Sequence, residues 1–290
     1  MQHPPASSWS AAPVLAALLL LVGTTVLFLV LRRGPAEPAG VASVGAPGFR
    51  AVAEVIGRSV EGRPMVCYQY GNGPRALLIK ASIHGTEGAG TPLTLRLMEW
   101  LDAHPETWKN ARIFVLPISN PDGLEALKRF NAKGIDLNRN FPAENREDSA
   151  RFGQAALSEP ESRALHDFIL RIQPDVIVAI HQPLVCVDYD GPAPAEALAR
   201  RMAAATGLPL NKLGARPGSL GAWFGETLRR PILTLELPRT LTNDPDRLWS
   251  KYGPALRELV ENPESWVLSL TGADGAGGAD GGRSRSGSGN

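Results

Sequence analysis

Charge of one sign is what this sequence most plainly lacks: 30 lysines and arginines stand against 29 aspartates and glutamates, a net charge of +1. No strong field calls for nucleic acid or a highly acidic partner, and neither is expected. Cysteine is scarce too. Cys67 and Cys186 lie in the apolar, strand-like stretches MVCYQY and LVCVDY, where a buried thiol is the usual reading. A disulfide between them has no spacing signal in its favour, and the redox compartment stays open. No internal repeat is visible, which leaves no sign of a repeat array.

Charge is missing altogether from residues 11–31, AAPVLAALLLLVGTTVLFLVL, a run matching the ~20 residues that cross a bilayer core. The leader before it, residues 1–10, has no lysine or arginine. A cleaved signal peptide carries a basic start and a shorter apolar run, so an uncleaved transmembrane helix is the expectation. Arg32 and Arg33 follow the run directly, and the positive-inside rule then places the rest of the chain in the cytoplasm. The opposite orientation, facing the periplasm or exterior, is the alternative. Residues 34–48, GPAEPAGVASVGAPG, are too poor in large apolar groups to build a core and read as a linker. Residues 271–290 are a low-complexity Gly/Ser-rich tail, read as disordered.

What is present lies between them, in residues 49–270, a size that supports one domain with a full hydrophobic core. VAEVIGRSV and RPMVCYQYG flank Glu61-Gly62 and read as a hairpin. ALLIKASI and ARIFVLPIS are buried strands by their continuous apolar character, with a helical pattern, TPLTLRLMEWLDAH, between them. SEPESRALHDFILRI opens with Ser158 and Glu161 at capping-box spacing and leads into the strand DVIVAIH. AEALARRMAAAT, PILTLEL and DPDRLWSKYGPALRELVEN continue as helix, strand and helix. This alternation predicts an α/β fold: a mixed, mostly parallel sheet with helices on both faces and its site at the carboxyl ends of strands.

His84 closes the strand ALLIKASI, and Glu87 follows in the glycine-rich turn HGTEG. Two ligands on one turn can converge on one ion, while a third must come from elsewhere. Alone the pair says little, since a chance His-x-x-Glu arises in roughly one such chain in three. His181, however, closes a second apolar strand, and two histidines with a glutamate form a known catalytic zinc set. His3, His104 and His166 sit in unremarkable surroundings. Glu236 lies in PILTLELP, apolar on most sides, where a merely solvent-facing glutamate would be out of place.

Between the two histidines stands NPDGLEALKRFNAKGIDLNRNFP, residues 120–142. Together with HGTE at 84–87, IH at 180–181, PGSLGAW at 217–223 and LTLELP at 233–238, it resembles the zinc carboxypeptidases of peptidase family M14, with the elements in family order. The resemblance implies a zinc carboxypeptidase-like fold and one zinc ion per chain held by His84, Glu87 and His181. It makes Glu236 the general base, Arg129 the group that stabilises the oxyanion, and Asp136 the carboxylate that orients a zinc histidine. Asn138 and Arg139 would grip the terminal carboxylate of a peptide substrate, which suits a guanidinium fork.

Two departures from the digestive members bear on substrate. Thr86 stands where they have arginine, and NKLGARPGSL lacks the tyrosine they carry before the Gly-Ser pair. The smaller domain, HGTEG, NPDGL and the PGSLGAWFG loop are more similar to the bacterial murein peptide amidase branch, which cuts the γ-D-glutamyl–diaminopimelate bond of cell-wall peptides. On that resemblance Leu220 to Trp223 would line the pocket for the leaving residue. The sequence offers no visible groups to meet the two charges of a diaminopimelate side chain. Two other readings stay open: a deacylase of small N-acyl amino acids, and a non-catalytic anchored domain that binds peptide. The intact DLNRNFP and ELP motifs favour a peptidase over the first. The presence of both histidines, Glu87 and Glu236 favours an enzyme over the second.

Overall fold

The computed structural model describes residues 44–45, 50–239 and 244–267. The leader, the apolar run 11–31 and the tail 271–290 lie outside the described residues. Among those described, no helix is long and apolar enough to cross a membrane.

Among the described residues eight strands form one sheet: β1 (Val44–Gly45), β2 (Val52–Arg58), β3 (Pro64–Tyr70), β4 (Arg75–Ala81), β5 (Ala111–Leu116), β6 (Val176–His181), β7 (Cys186–Asp190) and β8 (Ile232–Glu236). Their spatial order is β1-β2-β3-β5-β4-β6-β8-β7. The central strands β5, β4, β6 and β8 run parallel, while β1 to β3 and the edge strand β7 are antiparallel. The expected mixed α/β architecture is present. Two residues of the segment read as linker, Val44 and Gly45, instead form β1 by pairing with Ala53 and Val52.

Among the described residues five α-helices accompany the sheet: α1 (Gly90–Ala103), α2 (Pro121–Glu125), α3 (Pro160–Ile172), α4 (Ala193–Thr206) and α5 (Pro245–Glu261). Side chains two apart on a strand share a face, and the two faces differ. Leu77, Ile79 and Ala81 of β4, with Val178, Ile180, Leu233 and Leu235, face Leu93 and Leu97 of α1, Met202 of α4 and Leu256 of α5 in one apolar layer. Ala76 and Leu78, with Phe114, Ile177, Ala179 and Ile232, face Leu165, Phe168 and Ile169 of α3 and Leu137, Phe141 and Phe224 from the segments between the main elements. This second row continues along the strands into Lys80, His181 and Glu236. His181 and Glu236 therefore stand at the carboxyl ends of their strands on the α3 side of the sheet.

The expected capping box at Ser158 does not form. Helix α3 is capped at Glu159 without a side-chain bond and begins with Pro160 at its first position. Glu161 is drawn instead to a tertiary partner, its carboxylate accepting the Val60 N–H at 3.0 Å. By contrast, α5 is capped by Asp244, whose side chain accepts the Arg247 N–H at 2.9 Å. Both cysteines are buried free thiols, as read.

Candidate active site

The chain leaves β4 through Ser82, at φ 50°, a left-handed conformation uncommon outside glycine. It then turns at Gly85 against the NPDG segment. A Cβ on Gly85 would lie 2.0 Å from the Gly123 backbone, so only glycine allows this close approach. Asn120 holds NPDG in shape, accepting the Gly123 N–H at 2.9 Å and donating to the Ile83 carbonyl at 3.2 Å. Asp122 accepts from the Ser59 hydroxyl at 2.6 Å and from Arg63 at 2.7 Å. NPDG is thus the buttress behind the HGTE turn.

That turn and the end of β6 bring His84, Glu87 and His181 together, one ligand atom from each lying within 4.8 Å of the others. All three are buried. His84 Nδ1 lies 2.8 Å from Glu87 Oε1, and His181 Nδ1 lies 2.9 Å from Glu87 Oε2. His84 Nε2–H donates to Asp136 Oδ1 at 3.0 Å, which turns Nδ1 toward the shared point, as ligating histidines require. Two imidazole nitrogens and a carboxylate oxygen are a donor set that suits zinc. The residues present fit the metal.

Around this point the electrostatics divide. Burial works against the charged forms of Glu87 and Asp136, yet hydrogen bonds from the two histidines hold Glu87 well below the usual carboxylate range, and the His84 bond keeps Asp136 at about 2. Burial also opposes a charged His84, but its bonds to Asp136 and Glu87 prevail and raise its pKa. In His181 burial wins and lowers it to about 4, which favours the neutral, ligating ring. Lys80, beneath them on β4, is fully buried, and burial lowers its amine to about 7.

Arg129 donates to Glu87 Oε1 at 2.9 Å and to Asp136 Oδ2 at 3.3 Å. The Asn138 N–H shares Asp136 Oδ1 at 3.0 Å, and Asn138 Oδ1 accepts the Leu220 N–H at 3.0 Å. Arg139 beside it is half-buried. Glu236 Oε2 accepts one N–H, from Leu184 at 3.2 Å. Burial, aided by the negative charge of Glu87, pushes its pKa up to about 7. A cleft of about 500 Å³ exposes His84, Glu87, Arg129, Asn138, Arg139 and Glu236 together. A second hollow of about 470 Å³, lined by Thr86, Leu127 and Arg239 among others, holds none of the metal-type ligands.

Leu220 and Trp223 fall elsewhere than expected. Both side chains are buried in the α3-face layer, and Trp223 stacks on Phe141 with ring centroids 5.7 Å apart. The segment Gly221–Thr227 winds as a π-helical turn, which drives these apolar groups inward and leaves Ser219 and Gly221 to line the cleft. Sequence reasoning also missed Asp188, Asp190 and Arg216, which line the same cleft. The alternation of acids in CVDYD was the available signal, since it places both aspartates on one strand face.

A mixed sheet whose strand ends gather two histidines, a glutamate and an arginine–asparagine cluster in one cleft defines a metallopeptidase of the carboxypeptidase type. Residues 49–190 match the zinc carboxypeptidase family of peptidases, M14, and the chain belongs to that family. It is 35% identical over 226 residues to murein peptide amidase A of Escherichia coli strain K12, covering 71% of this chain and 88% of that protein. The crystal structure of murein-tripeptide amidase MpaA from Escherichia coli O157 superposes with a TM-score of 0.61 at 30% identity, covering 78% of this chain and 96% of that one. Carboxypeptidase A from Helicoverpa armigera shares the fold, with a TM-score of 0.64 at 20% identity over 78% of this chain and 70% of its own.

Proposed function

We propose that this zinc peptidase hydrolyses the amide bond before the C-terminal residue of a peptide, and that its substrate is a cell-wall peptide with a γ-D-glutamyl–diaminopimelate bond. One observation carries the reading: the metal-type ligands, a carboxylate with a raised pKa and the Asn138–Arg139 pair open onto one cleft. The likeness to murein peptide amidase A over most of both chains supports the choice of bond.

His84, Glu87 and His181 would hold zinc, which when bound makes a water more acidic and polarises a carbonyl. Glu236, with a pKa of about 7, is matched to taking a proton from the attacking water near neutral pH and handing it to the departing amine. Arg129 faces the same point and offers its guanidinium to charge developing on the carbonyl oxygen. Asn138 and Arg139 hold the terminal carboxylate and so set which bond is presented.

The test is hydrolysis of L-Ala-γ-D-Glu-diaminopimelate beside ordinary peptides with free or amidated C-termini. Cleavage of the tripeptide with rejection of the amidated forms is expected. Equal turnover of amidated peptides removes the carboxylate clamp, and failure to cut the γ-linked tripeptide removes the cell-wall reading. For residues 11–31 the proposal remains a single-pass anchor with the catalytic domain in the cytoplasm, in keeping with recycling of wall peptides. Digestion by protease added outside sealed cells would reverse that orientation.

A further inference from the structure

The ladders of the sheet stop where the site begins. β4 pairs with β6 as far as Ala81 and Ile180, and β6 with β8 as far as His181 and Glu236. One more backbone bond, from the Leu237 N–H to the His181 carbonyl at 2.8 Å, closes the second ladder. Past those points, among the described residues, no strand pairing holds the HGTE turn or the chain leaving Glu236 against His181. Gln182 stands in this gap, directly after His181, 5% exposed and on the wall of the cleft.

Its side chain reaches both ways. Oε1 accepts the Ala89 N–H at 3.0 Å, two residues after Glu87, and Nε2 donates to the Pro238 carbonyl at 2.9 Å, two residues after Glu236. The backbone N–H of Gln182 donates to Glu87 Oε2 at 3.3 Å. Ala89 caps α1 without a side-chain bond, so its N–H, at a helix start, needs a partner from elsewhere in the fold. Few side chains could make this span. A carboxylate has no donor for Pro238, lysine and arginine have no acceptor for Ala89, and asparagine is one methylene shorter.

We propose that Gln182 is a positioning residue for the hydrolytic step: its amide fastens the turn carrying Glu87 and the strand end carrying Glu236 to the strand of His181. It thereby sets the distance between the base and the metal-type ligands. The inference rests on the proposed role of Glu236 as that base. Gln182 makes and breaks no bond of the substrate; it acts through Glu87 and Glu236. The Leu184 N–H, two residues on, meets Glu236 Oε2 at 3.2 Å, so residues 181–184 supply a ligand, a span and a rest for the base. A displacement of about 1 Å between reacting groups costs on the order of 10²-fold in rate, which is the scale expected when such a span is cut.

The experiment uses the full chain with Gln182→Met, which keeps the length and removes both polar ends, and Gln182→Asn, which keeps the polar ends and shortens the reach. Each is made alone and together with Glu236→Gln. At saturating zinc, kcat and KM are measured on a peptide with a free C-terminus that the wild type cuts, and zinc affinity is read separately by chelator competition. Gln182→Met should lower kcat by about 10–100-fold with KM within about threefold, and weaken zinc binding by about tenfold. Gln182→Asn should lose in the same direction by a smaller factor. In the Glu236→Gln background the same Gln182 change should cost less than about threefold in the residual kcat, because there is no longer a base to misplace. If Gln182→Met does not fold, Gln182→Asn carries the comparison alone. Equal loss in both backgrounds, a loss in KM alone, or a lowered Tm with kcat per zinc-bound chain unchanged overturns the inference while leaving Glu236 as the base. Full activity in Glu236→Gln by itself removes the base, and the inference falls with it.

Discussion

The buried carboxylates around the cleft fall into two groups. Glu87 and Asp136, on the metal side, have both oxygens engaged by imidazole, guanidinium or backbone N–H groups. Along β7 and β8, Glu236 accepts one backbone N–H, from Leu184, Asp188 meets only backbone groups, at Leu213 and Tyr189, and Asp190 Oδ1 accepts none. The pKa directions follow: down for the first pair, up for the other three. Similar burial thus yields opposite chemistry, according to whether the protein itself supplies the partners. The satisfied pair is framework. The under-satisfied wall is where a proton or a substrate has something to add.

Substitutions can break this contrast, and the largest effect is expected at Glu236. Glu236→Gln should lower kcat by about 10²–10⁴-fold while keeping one zinc per chain by metal analysis, whereas Glu87→Gln should lose the metal itself. A Glu236→Gln protein with full activity would remove the base from the mechanism. Next, Arg139→Gln should reduce kcat/KM on peptides with a free C-terminus by about 10–100-fold, and the loss should vanish on amidated peptides. Asp136→Asn keeps the shape but weakens the bond to His84, and zinc affinity measured by chelator competition should fall by about tenfold or more.

The smallest effect sharpens the comparison on the other wall. Asp190 holds its proton to about pH 7 in the folded chain, well above its ordinary value of 3.8. The folded state therefore binds the extra proton across that window. Its stabilisation is complete below about pH 3.8 and is lost as the pH rises through 7. Asp190→Asn should flatten this decline and raise Tm at pH 7 by a few degrees, on the order of 5 °C, and a steeper decline in the variant would contradict the assignment.

The metal-type ligands and the base were legible in the sequence, because His181 and Glu236 end apolar strands, His84 follows β4 by three residues, and the alternation of strands and helices places those ends together. Asp136 and Arg129 were reached only through the resemblance, since a loop of polar residues has no period to read. The cleft residues Asp188, Asp190 and Arg216 stayed hidden. Arg216 lies in a segment without a regular pattern, and only the pairing of β7 with β8 turns Asp188 and Asp190 toward Glu236. Leu220 and Trp223 misled for a related reason: a short motif names the segment, but the winding of the π-helical turn decides which side chains face the cleft. Ser158 failed as a cap because Glu161 found a partner at Val60 that no local spacing reveals.

Asp136 Oδ1 accepts from His84 Nε2 and from the Asn138 N–H, each at 3.0 Å. One atom thus ties the metal-type ligand His84 to the segment that carries the proposed carboxylate clamp. With Asn138 and Arg139 holding the end of a peptide as proposed, the two would keep a fixed spacing. Extending the peptide by one residue would then displace its scissile bond from the point where water attacks.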